Sequence, residues 1–387
     1  DKIDFTDMIW LPNALLINNK WNRYDYIILD EAQDANMCQF ELLQKCKKMG
    51  CRMIIVGDKN QSIYSFAGSS QEVMKNFKDM PNTKSLPLSI TYRCPKKIVD
   101  FVNENFKNIV FEARPNAPEG IITHGTTIKD LRKGDTVLCR TNAPLAKIYM
   151  DLLKEGKKSY ISGREIGENM IDIINSYKNE KYVNVNVTKE GLIRSMYIDL
   201  FKIRNLIAEQ HEIDIQSASN SPEILRRYDM IKAIEIITEK NNTVEGLKNK
   251  IKEIFSDIKE DGILLSTVHK AKGLTFDNVF ICCPSLIPSK RAKQQWEIEE
   301  ENHIAYVAYT RAKHKLSFMS ETGFEYFVFG QSEGIYTKLK EKERLIYGKS
   351  YFESISVNEL LSYSKLYQKI YTGKSKNIFN AYNIKGV

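Results

Sequence analysis

No stretch of this 387-residue chain reaches the roughly 18 consecutive apolar residues of a membrane span, and no signal-peptide pattern opens it. A membrane partner is therefore not expected. Cysteine is sparse and unpaired. The seven residues (Cys38, Cys46, Cys51, Cys94, Cys139, Cys282 and Cys283) are odd in number and show no C-x-x-C spacing. That argues against a disulfide framework or a zinc site and for free thiols in a reducing compartment. Internal repeats and long low-complexity tracts are also lacking, which sets repeat and low-complexity architectures aside. Neither sign of charge dominates: 57 Lys plus Arg against 49 Asp plus Glu gives +8. Such an excess permits a polyanionic partner without requiring one.

What is present reads as an ordinary globular protein, with 42% hydrophobic and 27% charged residues. The length exceeds what one hydrophobic core supports, so two or more domains are expected. Position 1 is Asp rather than Met, and the expectation is a chain that begins inside a longer product. In "YDYIILDEAQD" (24–34) an apolar run stops abruptly at Asp30, Glu31 and Asp34. Clustered carboxylates repel and are costly to desolvate unless something positive sits nearby. A hydrated cation at the carboxyl end of a parallel strand would supply it, since open α/β sheets bind ligands there. Residues 25–29 thus read as a buried parallel strand. Met37 to Met49 read as a helix stopped by Gly50, and "RMIIVGD" (52–58) as a second buried strand, which completes a βαβ unit.

Further on, Pro95 marks a helix start, with Ile98, Val99, Val102 and Phe106 on its apolar face. "DTVLCRT" (135–141) and "KSYISG" (158–163) read as strands flanking a helix that ends near Glu155. Strand–helix alternation returns at 262–273, 278–283 and 315–320, after a helix-rich stretch from 166 to about 258. The expected organisation is residues 1–82, 83–165, an inserted helical subdomain at 166–260, 261–322, and a C-terminal tail at 323–387.

The chemistry concentrates at strand ends. Phosphoryl-transfer sites on parallel sheets need an acid to hold Mg²⁺, usually through water, and a base or water-positioner aimed at the γ-phosphate. Asp30 and Glu31, adjacent at a strand end, suit both tasks. In "VGDKNQSIYSFAG" (56–68) Gln61 could present an amide that senses a phosphate or its water. Tyr64 and Phe66 could stack unpaired bases or fill a core.

These blocks, in this order and spacing, resemble the second and third motifs of the UvrD/Rep-type superfamily 1 helicases. "LSITYRCP" (88–95) is similar to the fourth motif, "LLSTVHKAKGLTFDNVFI" (264–281) to the fifth and "NHIAYVAYTRAKHKLSF" (302–318) to the sixth; 135–163 matches the strand–helix–strand of the second motor domain. The resemblance implies an α/β fold of two RecA-like parallel-sheet motor domains, the first incomplete, with a helical insertion in the second. It implies Asp30 as Mg²⁺ ligand, Glu31 as catalytic base, Gln61 at the γ-phosphate, and Arg93 and Arg311 reaching that phosphate from the opposite lobe. It further implies Tyr92 stacking on adenine, Gly273 at the nucleotide, and Tyr64, Phe66, Thr267 and His269 on nucleic acid. Three positions depart from the family pattern: Phe66-Ala67 stands where Trp-Arg is usual, and Thr275 where an acid is common.

One element of the pattern is missing. No segment fits G-x-x-x-x-G-K-S/T, the backbone cradle and lysine that bind a triphosphate. "TGKS" at 372–375 follows Gln368 rather than glycine, and "YGKS" at 347–350 follows Glu343. The first expectation is therefore the C-terminal portion of a cytoplasmic ATP-driven helicase, nucleoid-associated or in a host cell if viral. It would use ATP and Mg²⁺, move 3′→5′ on single-stranded DNA, and act at single-strand/duplex junctions. Its phosphate loop would come from a missing N-terminal segment or a partner chain. The second is an ATPase-dead remnant that grips nucleic acid or regulates a partner. The third is a helicase subunit of a nuclease complex.

Overall fold

The computed structural model describes residues 5–14, 22–64, 71–106, 109–179, 189–238, 243–255, 261–289, 292 and 294–320. Strand β1 (Tyr24–Leu29) pairs in parallel with β2 (Lys47–Ile55), with Ile28 opposite Ile54. Helices α1 (Phe5–Ala14), α2 (Met37–Lys45) and α3 (Gln71–Lys78) belong to this first lobe. Leu29, Met53 and Ile55 pack under Phe40, Leu43, Val73 and Phe77.

Two expectations need correction here. The strands are not buried on both faces: Tyr24, Tyr26, Ile28, Ile54 and Val56 are exposed, Ile28 at 71%. The alternation of the pleat puts these side chains on the face away from α2 and α3, where the described residues supply no cover. The helix from Met37 ends at Lys45 rather than at Met49, because the sheet takes the chain from Lys47, which pairs with Tyr24, and the Cys46 carbonyl accepts from the Tyr24 amide at 2.9 Å. The chain then enters β2, and Gly50 takes φ +81° within a register shift between Tyr24 and Tyr26. Met49 is fully exposed there.

The second lobe starts with a short parallel pair, β3 (Ile90–Thr91) and β4 (Glu112–Ala113), bracketing α4 (Lys96–Asn105). It is dominated by a six-stranded, all-parallel sheet. Its strands are β5 (Ile121–Thr126), β6 (Thr136–Cys139), β7 (Ser159–Ile161), β8 (Ile263–Thr267), β9 (Phe276–Ile281) and β10 (Ala312–Met319), in the order β5-β10-β9-β6-β8-β7. Helix α5 (Asn142–Lys154) crosses from β6 to β7. Between β7 and β8 run α6 (Arg164–Asn179), α7 (Lys189–Gln210), α8 (Ile215–Ser219), α9 (Pro222–Thr238) and α10 (Val244–Ile254), the helical insertion. Helices α11 (Val268–Ala271) and α12 (Gln295–Tyr309) precede β9 and β10. The core joins Val279, Ile281 and Leu316 of this sheet to Ile98 and Val102 of α4, to Ile304 and Val307 of α12, and to Ile63 of the first lobe. Asp229 of α9 ties the insertion to the sheet: its carboxylate accepts from the Asn142 and Ala143 amides at 2.8 and 2.9 Å, capping α5. The fold is α/β, two parallel-sheet lobes with a helical insertion in the second.

Candidate nucleotide cleft and nucleic-acid face

Both strand ends of the first lobe turn into tight loops that are stitched together. After β1, Glu31 takes the left-handed conformation (φ 50°), which non-glycine residues rarely hold. The Ala32 amide closes on Val56 O at 3.0 Å, and a 3-10 turn runs Ala32–Asp34. Asp30 and Glu31 stay exposed, and Asp30 Oδ1 accepts from the Glu31 amide. Gln33 is buried and works as the cross-tie: its Nε2 donates to Glu31 Oε2, and its Oε1 accepts from the Asp58 amide at 2.9 Å. Gly57 is required beside it, since a Cβ there would lie 2.7 Å from Gln33 Oε1.

The second lobe reaches this loop from α11, α12 and the turn into β10. Arg311 is fully buried. Its Nε donates to Val307 O, Nη1 to Leu274 O, and Nη2 to Gln61 Oε1 at 3.3 Å and Thr310 Oγ1 at 3.1 Å. Burial and the neighbouring Arg93 charge push its pKa down to about 10, so it remains a cation at neutral pH. Glu31 is near enough to act on Arg311 in the opposite direction. Arg93 Nη1 approaches Thr310 O at 3.5 Å. The Gln61 carboxamide is held at both ends, by Arg311 on its oxygen and by Asp58 Oδ2 on its Nε2 at 2.9 Å. Asp58 in turn accepts from Tyr306 at 3.2 Å, and His303 Nδ1 donates to Ser62 O at 3.0 Å. Glu31, Gln61, Arg93 and Arg311 are therefore brought into one neighbourhood. Tyr92 is 76% exposed and available for stacking, and Gly273 sits at φ +78° with open space beside it.

Among the described residues no group of three or more His, Cys, Asp or Glu could hold a metal by itself. Mg²⁺ needs no such group, since it is commonly bound by one or two carboxylates together with phosphates and water. Exposed Asp30 offers such a carboxylate.

The expected nucleic-acid residues divide. Tyr64 is partly buried between the lobes: its hydroxyl donates to His269 O at 3.1 Å, and its ring centroid lies 5.0 Å from Lys272 Nζ and 6.2 Å from the His269 ring. Thr267 is buried and accepts from the Lys270 amide at the start of α11. His269 is partly buried, and its pKa is pushed down to about 3, chiefly by burial and then by the Arg140 and Lys272 charges. Phe66 lies outside the described residues.

Sequence reasoning missed Gln33, Asp58, Lys272, His303 and Tyr306 as parts of this site, and left Asp34 without a role. One signal for Lys272 was present, since a carboxylate cluster calls for a nearby cation. Lys272 Nζ lies 2.7 and 2.6 Å from the Asp34 oxygens. None of the seven cysteines forms a disulfide.

The fold and the facing loops set the chain among proteins built from paired RecA-like lobes. Residues 1–82 match the UvrD/REP helicase N-terminal domain, and residues 146–322 match the UvrD-like helicase C-terminal domain. The chain is 25% identical to the ATP-dependent DNA helicase Rep of Buchnera aphidicola subsp. Acyrthosiphon pisum, over 82% of this chain and 66% of that protein. It is 26% identical to the probable DNA helicase II homolog of Mycoplasma capricolum subsp. capricolum, over 99% and 68%. It is 25% identical to the ATP-dependent DNA helicase PcrA of Staphylococcus epidermidis, over 86% and 60%. The chain thus spans 60% to 68% of the length of these relatives. It belongs to the UvrD/Rep-type helicase family. Among the described residues no helix is long and apolar enough to cross a membrane.

Proposed function

We propose that this chain is the C-terminal portion of an ATP-dependent DNA helicase that couples ATP hydrolysis to 3′→5′ movement on single-stranded DNA and to unwinding at junctions. The observation that carries the reading is the Arg311 guanidinium of one lobe bonded to the Gln61 carboxamide of the other, within electrostatic reach of Glu31. Asp30 would hold Mg²⁺, which neutralises charge on the phosphate oxygens. Glu31 accepts the proton of the attacking water, Gln61 orients that water, and Arg93 and Arg311 complement the equatorial oxygens of the transferring group. Because acids and guanidiniums come from separate sheets, catalytic geometry depends on how the lobes meet. Tyr64 and His269, which meet where the lobes join, would lie along the single-strand track.

The triphosphate cradle comes from a polypeptide segment bearing G-x-x-x-x-G-K-S/T, in preceding sequence or on another chain. It docks on the open face of β1 and β2, where Tyr26, Ile28 and Ile54 are more than half exposed. The absence of that motif from these 387 residues also favours a second reading, an ATPase-dead module that grips nucleic acid.

DNA-stimulated ATP hydrolysis separates the two, measured on this chain alone and on this chain mixed with the loop-bearing segment. The motor reading expects hydrolysis that falls roughly 10²–10⁴-fold in Glu31→Gln, the scale of a lost general base. Thermal stability should be unchanged, since Glu31 is exposed. Two inert preparations that still bind single-stranded DNA would leave only the binding module.

A further inference from the structure

We propose that Lys272 is a positioning residue of this site, a second-lobe ammonium that seats Asp34 and Gln61 of the first lobe. The proposal deepens the nucleotide reading above and rests on it for the catalytic consequence alone. Lys272 Nζ donates to Asp34 Oδ1 and Oδ2 at 2.7 and 2.6 Å and to the Gln61 main-chain oxygen at 2.6 Å. These acceptors occupy all three N–H groups of an ammonium. The Lys272 side chain is 6% exposed, and the Tyr64 ring covers it. Water therefore has little access to compete for those donors.

The consequence falls on Gln61. Its carbonyl is anchored by Lys272. Its carboxamide nitrogen is held by Asp58, which is itself held by Tyr306, and its carboxamide oxygen is held by Arg311. Every one of these grips starts on or passes to the second lobe, and Lys272 is the one that fixes the backbone from which the amide is aimed. The same ammonium holds Asp34 at the end of the turn that begins with Glu31, so the base and the phosphate sensor share one anchor. Burial raises the Asp34 pKa, and Lys272 opposes that rise. A compact ammonium fits three converging acceptors; the planar fork of arginine matches two.

Hydrogen–deuterium exchange on the full 387-residue chain tests the placement without any nucleotide. In Lys272→Met, amides of 57–64 and 31–36 should exchange roughly tenfold faster, with β8 to β10 and α12 at wild-type rates. Unchanged exchange at 57–64 would overturn the proposal. Should Lys272→Met loosen the whole chain, Lys272→Arg decides. Faster exchange confined to 57–64 supports positioning, and wild-type exchange there overturns it.

Hydrolysis then reads the catalytic half, under conditions where wild type is active and Glu31→Gln is not. Lys272→Met should lower kcat about 10- to 100-fold with KM for ATP within about threefold, the pattern of a displaced reacting group rather than lost binding. A raised KM at unchanged kcat would refute it. If wild type shows no Glu31-dependent hydrolysis, the nucleotide reading fails, while the exchange result still judges the anchor.

Discussion

Acidification from pH 7 to pH 5 should weaken this fold by about 2 kcal/mol through one side chain, His269. Its folded pKa lies at about 3, because the imidazolium would be buried beside the Arg140 and Lys272 charges. In the unfolded chain the same group titrates near 6.5. Between those two values the unfolded state binds a proton that the folded state refuses. Stability is therefore full above about pH 6.5 and is lost as pH falls toward 3. Urea unfolding of wild type and His269→Gln at pH 7, 6 and 5 isolates this effect. His303 is also depressed by burial and acts in the same direction in both proteins, so it cancels in the comparison. The variant should lose about 2 kcal/mol less than wild type over that range, with the same denaturant slope. Parallel pH curves for the two proteins would refute the reasoning. A second consequence concerns nucleic acid. A neutral imidazole can donate or accept but cannot replace a counterion. His269→Gln should therefore leave the salt slope of single-strand binding unchanged at pH 7. A slope smaller by about 0.7 would mean that a charged imidazolium contacts phosphate.

Two further predictions concern the scaffold. Asp229→Ala strips the buried cap from the first turn of α5 and should cost about 2–3 kcal/mol in thermal unfolding, with Asp229→Asn, which keeps an acceptor, costing less. Gly120→Ala should lower stability by about 1–3 kcal/mol. Gly120 sits at φ +76°, and a Cβ there would lie 2.4 Å from Pro95 Cγ, so a neutral result would contradict the close approach of the β5 start to the α4 start.

Five strands of the second sheet, β6 to β10, were legible because they are short apolar runs bounded by turn residues, and Pro95 and the strand before Asn142 carry local signals that tertiary packing does not override; β5 was not read, because Thr, His and Gly interrupt its apolar pattern. The α2–β2 boundary was not. Met49 falls at helical spacing, and the helix ends at Lys45 because Lys47 pairs with Tyr24 of the neighbouring strand, a contact that helical spacing cannot report. Burial of β1 and β2 was misjudged for a different reason: an apolar run states what a strand could bury, not whether a partner covers both faces. At the candidate site, Asp30, Glu31 and Gln61 were legible because polar residues directly after apolar strands stand out from the pattern. Gln33, Tyr306 and Lys272 were not, because their roles arise from contacts across 25 to 248 positions in the chain. Periodicity and motif spacing carry no information about such pairs.

The open face of the first sheet and the unfilled motif are connected by energetics. Parallel sheets are ordinarily covered on both faces. Tyr24, Tyr26, Ile28, Ile54 and Val56 lie between 43% and 71% exposed. Covering five such side chains completely would contribute about 5 kcal/mol, before the ordering entropy of the cover is subtracted. On the proposed reading, the segment that brings the phosphate cradle also completes the packing of β1 and β2. The loops after both strands are anchored from the second lobe by Lys272, Tyr306 and Arg311, while the strands that carry them are braced from one side only. Docking of the cradle would then brace the acid-bearing strand from the side the second lobe does not reach. Nucleotide binding and first-lobe stability would rise together, because they depend on the same apolar surface.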